Sequence, residues 1–282
     1  MAAMKYILLF VLIAFIGQAV AQEKQKKNLQ YYSPSILIGK GSWELKNFNN
    51  IYTQTKSFDD SGNKIDNGRR DTYYTMINQF LYGLSNKLNV GMDLWYKQVN
   101  SEGKFRSGIT GIGPKIKLTP LKSVPFFSWQ STFLIPLTKD MESRSPDATH
   151  PGLFLEFDRY LWINQLFYDR QLSDKFQIFL QAAFWYSITR ESFREENFLE
   201  TPLSVFFSYF PSRRLTVYGM TEYWAKHHEK AFNGYFIQSG IGTKYQIIEG
   251  LLELELLYTN FWVGSQDEGA GETFNLGIRF IK

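Results

Sequence analysis

The stretch FQIFLQAAFWYSIT, running from Phe176 to Thr189, decides the fold. Every second residue, Phe176, Ile178, Leu180, Ala182, Phe184, Tyr186 and Ile188, is apolar or small. Gln177, Gln181, Ser187 and Thr189 alternate with them, and Phe179 and Trp185 share that second face. Side chains of a strand point alternately to opposite sides, so this period of two describes a strand with one apolar face. The same pattern recurs. Leu88, Val90, Met92, Leu94 and Tyr96 oppose Asn89, Gly91, Asp93, Trp95 and Lys97, and Phe274, Leu276, Ile278 and Phe280 oppose Asn275, Gly277 and Arg279.

Working outward, twelve such segments are expected near 35–56, 72–84, 88–99, 107–119, 125–138, 153–168, 175–190, 200–210, 214–227, 234–247, 251–263 and 273–282. Each can cross a bilayer as a tilted strand, which takes about 9–11 residues. The sixth is the least regular, with Arg159 and Gln165 on its more apolar face. Odd-numbered connections, such as Ser57–Asp71, Asn100–Arg106 and Lys139–Gly152, are longer and more charged than even-numbered ones, such as Ser85–Lys87 and Pro211–Arg213. Short periplasmic turns and long outer loops are the signature of an outer-membrane barrel. The sequence therefore predicts an all-β fold, a single antiparallel transmembrane β-barrel of about 12 strands over residues 35–282.

Composition agrees. Aromatic residues make up 17% of the chain, yet mean hydropathy is −0.27. Alternating lipid and lumen faces keep average hydropathy low, while aromatic girdles absorb Tyr, Trp and Phe. Lys5 precedes an apolar run from Tyr6 to Ile16, and Ala19-Val20-Ala21 follows, which predicts a signal peptide over 1–21 cleaved near Ala21. Residues 22–34 are expected to be a periplasmic tail. There is no cysteine, which excludes a disulfide framework and thiolate chemistry. The formal charge of +4, reduced by one when Lys5 leaves with the leader, is too small and too scattered for nucleic-acid binding.

If the apolar faces meet lipid, the opposite faces place Lys40, Lys46, Lys97, Lys115, Lys117, Lys226, Lys244 and Arg279 in the lumen. Glu44, Asp93, Glu156, Asp158, Glu222, Glu253 and Glu255 join them, so neither sign dominates. Trp95, Trp162, Trp185 and Trp224 fall on the same predicted lumen face. The arrangement fits either a water-filled pore or an ion-paired network that fills the interior. The Trp residues are read first as packing, and they also make an aromatic or amphipathic solute more attractive.

No catalytic constellation emerges. A Ser hydrolase needs its nucleophile within hydrogen-bond reach of a His. The outward Ser239 is expected about five residues along the strand from the register of His227, roughly 16 Å away. His150 sits in an outer loop, and the adjacent His227 and His228 point to opposite faces, so they cannot share a metal. The loop pairs Asp59-Asp60, Glu195-Glu196 and Asp267-Glu268 lack calcium-loop spacing. No cofactor is expected.

Gly111-Ile112-Gly113-Pro114-Lys115-Ile116-Lys117-Leu118, with Phe133-Leu134-Ile135-Pro136-Leu137-Thr138-Lys139-Asp140, resembles the outer-membrane transporters of the phenol-degradation meta-pathway family. In that family a Gly-x-Gly strand precedes a Leu-Pro-Thr-Gly-Asp-like strand end. Lys139 stands where the family has Gly, and Pro114 replaces an acidic residue. The last strand is similar to a barrel-assembly signal, with Phe280 followed by Ile281 and Lys282. The resemblance implies a porin- or transporter-like barrel that works with the bilayer, lipopolysaccharide, the outer-membrane assembly machinery and a small solute. A channel for small solutes is the leading expectation. A barrel-embedded lipid hydrolase and a structural or adhesive barrel acting through its loops are the alternatives.

Overall fold

A computed structural model describes residues 34–282, apart from 102, 122–123, 125, 139–154, 156–158, 190–196, 229–232 and 267. The signal peptide and nearly all of the expected tail lie outside the described residues.

The strands are β1 (Trp43–Phe58), β2 (Lys64–Ser85), β3 (Leu88–Ser101), β4 (Lys104–Leu118), β5 (Phe127–Pro136), β6 (Tyr160–Ser173) and β7 (Phe176–Ile188). They continue as β8 (Phe198–Glu200), β9 (Leu203–Tyr209), β10 (Leu215–His228), β11 (Tyr235–Ile248), β12 (Leu252–Gly264) and β13 (Glu272–Ile281). Successive strands pair antiparallel, with β8 and β9 each pairing with β7 and β10 and not with each other, and β1 also pairs with β13, so the sheet closes on itself. Trp43 and Lys282 exchange backbone hydrogen bonds of 2.8 and 2.9 Å at that seam.

β8 and β9 form one barrel strand, which brings the wall to the expected twelve. Their break falls at Thr201-Pro202, because proline has no N–H to donate to a ladder. The ladder survives it: Thr201 N–H donates to Ala225 O at 2.8 Å, and Ala183 N–H donates to Pro202 O at 2.9 Å. Closure matters because hydrocarbon offers backbone groups no partners.

The two faces divide as the alternation requires. On β7, Phe176, Phe184 and Tyr186 are exposed on the outside, while Phe179, Ala183 and Ser187 are buried inside. On β13, Phe274, Leu276 and Ile278 are exposed, while Thr273, Asn275 and Arg279 are buried.

Three expectations change. The first strand begins at Trp43 and not near residue 35. Residues 34–42 turn into the end of the barrel that holds the Trp43–Lys282 seam, the expected periplasmic end, burying Ser35 and Ile38, while Lys40 is exposed. The supposed loops Ser57–Asp71 and Asn100–Arg106 are largely paired strand, and among their described residues the chain turns at 59–63 and at Gly103. Above the membrane both faces of a strand meet water, so pairing there leaves no alternation to read. Asp59 shapes the first of these turns by accepting from Ser61 N, Asn63 N and Asn63 Nδ2. Those donors hold its carboxyl below the usual carboxylate range.

The third change concerns β6. Ile163, Phe167 and Asp169 are buried inside, and Tyr160 and Trp162 are exposed outside, which reverses the expected phase. Trp162 pairs with the exposed Phe133 and Tyr186, and its indole N–H donates to Ser131 Oγ at 3.0 Å. It belongs to the outer aromatic surface and not to the lumen.

Ile241 on β11 is 63% exposed on the outer face. Ile241→Arg should lower stability by about 2–4 kcal/mol, the cost of a cation at mid-bilayer. Urea titration in lipid vesicles measures it, and a loss near zero would mean that position 241 does not face hydrocarbon.

Candidate functional site: the barrel lumen

The interior encloses a cavity of about 590 Å³. Of the residues expected to line the lumen, Trp95, Lys97, Lys117, Trp185, Glu222, Trp224, Lys244, Glu253, Glu255 and Arg279 border it. Asp93 and Lys115 are buried in the interior and paired with each other, Nζ to Oδ1, at 2.5 Å. Trp162 lies outside the wall, as described above. Glu156 and Asp158 lie outside the described residues.

Charges concentrate toward the periplasmic end, where they satisfy one another. Glu44 accepts from Arg279 Nε at 2.9 Å and from Lys46 Nζ at 3.1 Å. A second Arg279 nitrogen lies 3.7 Å from Glu253. Glu255 takes a hydrogen bond of 2.5 Å from Tyr218 and an ion pair of 3.4 Å from Lys244. Glu222 accepts from Ser204 Oγ and Gln238 Nε2, each at 2.6 Å. Arg279 on β13 reaches both Glu44 on β1 and Glu253 on β12, so it staples these three strands together across the closure of the wall.

Residues 34–42 meet this network from below. Asn89 holds Ile38 by two hydrogen bonds, accepting from its N–H at 3.0 Å and donating to its carbonyl at 2.9 Å. Lys117 Nζ donates to Ile36 O at 2.5 Å, and Ser35 Oγ donates to Asp169. Pro34, expected in the tail, borders the cavity itself. The segment therefore fills part of the periplasmic mouth.

Above the charges runs an aromatic belt. Trp95 and Trp185 meet edge to face with centroids 6.2 Å apart, although β3 and β7 are not neighbours in the sheet. Their contact spans the lumen, and Leu134 and Ile163 pack into the same cluster. From Trp185 the belt continues to Trp224 at 4.9 Å, Phe236 at 5.8 Å and Phe261 at 4.7 Å. Tyr52 and Tyr73 extend it across β1 and β2. Gly111 admits the Leu134 side chain, since a Cβ there would sit 2.8 Å from it. The two stretches that carried the family resemblance are thus facing strands, with Gly111 opposite Pro136 and Ile112 opposite Ile135. Lys139 and Asp140 lie outside the described residues.

Sequence reasoning missed Asp169, because it ended the sixth strand at 168 and placed Asp169 in the turn that follows, whereas β6 runs on to Ser173. It placed Asn89 on the polar face without giving it a role. Phe236, Phe261 and Tyr52 were missed as lumen residues because only Trp was followed inward.

The hydrolase geometry is not assembled. Ser239 Oγ pairs with Thr221 Oγ1 at 3.0 Å, and His227 Nε2 lies 3.0 Å from Thr201 Oγ1. His150, Glu195, Glu196 and Asp267 lie outside the described residues.

No family model matches the chain, and no curated protein matches its sequence. Solved structures do. The COG4313 outer membrane channel from Pseudomonas putida F1 superimposes with a TM-score of 0.65 at 12% identity, over 88% of this chain and 97% of that one. The β domain of the Bordetella autotransporter BrkA gives 0.56 at 12% identity, over 86% and 99%. The fold is that of outer-membrane β-barrels.

The Asp93–Lys115 pair yields a prediction. Lys115→Met should cost about 3–5 kcal/mol, because it leaves a buried carboxylate uncompensated. Adding Asp93→Leu should recover most of that loss in urea unfolding, and two additive losses would show the pair to be uncoupled.

Proposed function

We propose that this chain is an outer-membrane channel through which small solutes pass passively, aromatic or amphipathic ones among them. The observation that carries this reading is the 590 Å³ interior cavity, polar and charged toward the periplasm and aromatic toward the outside, within a lipid-compatible wall. Its likeness to a solved outer-membrane channel supports it.

On this reading Lys97, Lys117, Lys244, Glu222, Glu253, Glu255 and Arg279 line the path as solvated or mutually paired groups. Because both signs are present, strong selection for anions or cations is not expected. Trp95, Trp185 and Trp224 form the narrow part, where flat apolar solutes exchange water for aromatic contact. Residues 34–42 stand in the periplasmic mouth and must shift for a solute to leave. No step requires a cofactor or bond-making. The signal peptide, cleaved near Ala21, directs export, and the assembly machinery inserts the barrel facing lipopolysaccharide.

Purified protein in planar bilayers should give small single-channel steps. Trp185→Ala combined with Trp224→Ala should raise the conductance severalfold. Asn89→Leu, which removes both bonds to Ile38, should lengthen or enlarge the openings. Folded wild-type and variant proteins that are all silent would overturn the channel reading.

A further inference from the structure

The outer wall carries a polar cluster where hydrocarbon is expected. Asn47 and Asn49 on β1 and Asn78 on β2 lie on the outward face, since they alternate with inward-facing partners and share register with exposed apolar residues. Leu45 and Phe80 flank the cluster on the periplasmic side, and Ile51 and Phe274 flank it on the outer side, all exposed. It therefore sits at mid-depth in the membrane.

The amides are linked but not saturated. Asn47 Nδ2 donates to Asn78 Oδ1 at 2.8 Å, and Asn49 Nδ2 donates to Asn47 Oδ1 at 2.6 Å and to Leu276 O at 3.2 Å. Tyr74 OH donates to Asn49 Oδ1 at 2.5 Å. Asn78 Nδ2 donates to nothing among the described residues. Some outward polar groups elsewhere pair off locally, as Thr221 does with Ser239 and Trp162 with Ser131. Lipid tails cannot accept a hydrogen bond, so an amide donor left against them is costly.

We propose that this face of β13, β1 and β2 is an interface between two copies of the chain, related by a two-fold axis along the membrane normal beside β2. A primary amide is both donor and acceptor, which makes the patch complementary to itself. Across such an axis each Asn78 Nδ2 donates to the other copy's Asn78 Oδ1, as an isologous contact requires. Polar side chains join spanning elements in membranes in this way. The surrounding Leu45, Met76 and Phe80 supply apolar contact at the same depths.

The protein has no cysteine, so single thiols test the interface directly. Phe80→Cys keeps every amide and should form a disulfide-linked dimer when outer membranes are oxidised. Phe207→Cys, exposed on β9 across the barrel among apolar neighbours, should stay monomeric. Adding Asn47→Leu and Asn78→Leu to Phe80→Cys should abolish the link while the barrel still shifts on unheated gels. A folded Phe80→Cys protein that remains monomeric would overturn the proposal. Equal linking at 80 and 207, or linking that survives loss of the amides, would do the same.

Discussion

Backbone hydrogen bonding in a solvent that cannot hydrogen-bond is the constraint on which this structure depends. A spanning strand must pair on both edges, so the wall has no free end and β1 returns to β13. Several local features follow from that demand. The Trp43–Lys282 seam closes the periplasmic end, and β8 and β9 keep their ladder across Pro202 by using the groups on either side of it. Closure also separates two environments, and the sequence alternates to suit both.

Closing the wall leaves an interior that must be filled or wetted. Toward the periplasm the chain fills it with opposite charges held at ion-pair distance, Glu44 with Arg279 and Lys46, and Asp93 with Lys115. Such pairs stabilise little by themselves, because desolvation offsets attraction. Breaking one is costly, so they fix the register of neighbouring strands more than they add stability. Toward the outside the filling is aromatic, and the Trp95–Trp185 contact narrows the lumen by bridging strands that are not adjacent. Residues 34–42 complete the periplasmic end through Asn89, Lys117 and Asp169. The interior is thus a chamber with a narrow aromatic side and an occupied mouth.

Much of this was legible in the sequence wherever lipid and lumen make opposite demands. β7 and β13 show clean alternation because one face is apolar for lipid and the other meets polar partners. β6 misled because both of its faces are rich in large apolar groups. Trp162 and Leu166 face outward, while Ile163 and Phe167 pack inward against the aromatic belt and Phe179. Period alone cannot assign the sign of such a strand. Residues 34–42 read as the start of a strand, yet side chains rather than a ladder satisfy Ile36 and Ile38, and that pairing is invisible in one dimension. The outer hairpins were read as loops because water on both sides erases the alternation that marks a strand. The outward Asn47, Asn49 and Asn78 sat in sequence among residues of mixed polarity, so their juxtaposition appeared only with the register of β1 and β2.

The lumen assignment underlies everything said about passage, and β6 is where it is most exposed to test. Nitroxide labels placed singly at residues 160 to 169 in bilayers would report collision with oxygen, which concentrates in lipid, against a water-soluble nickel reagent. Oxygen should dominate at the even positions, Trp162 and Leu166 among them, and fall at Ile163, Gln165 and Phe167. The opposite phase, or a period other than two, would contradict the lumen described here.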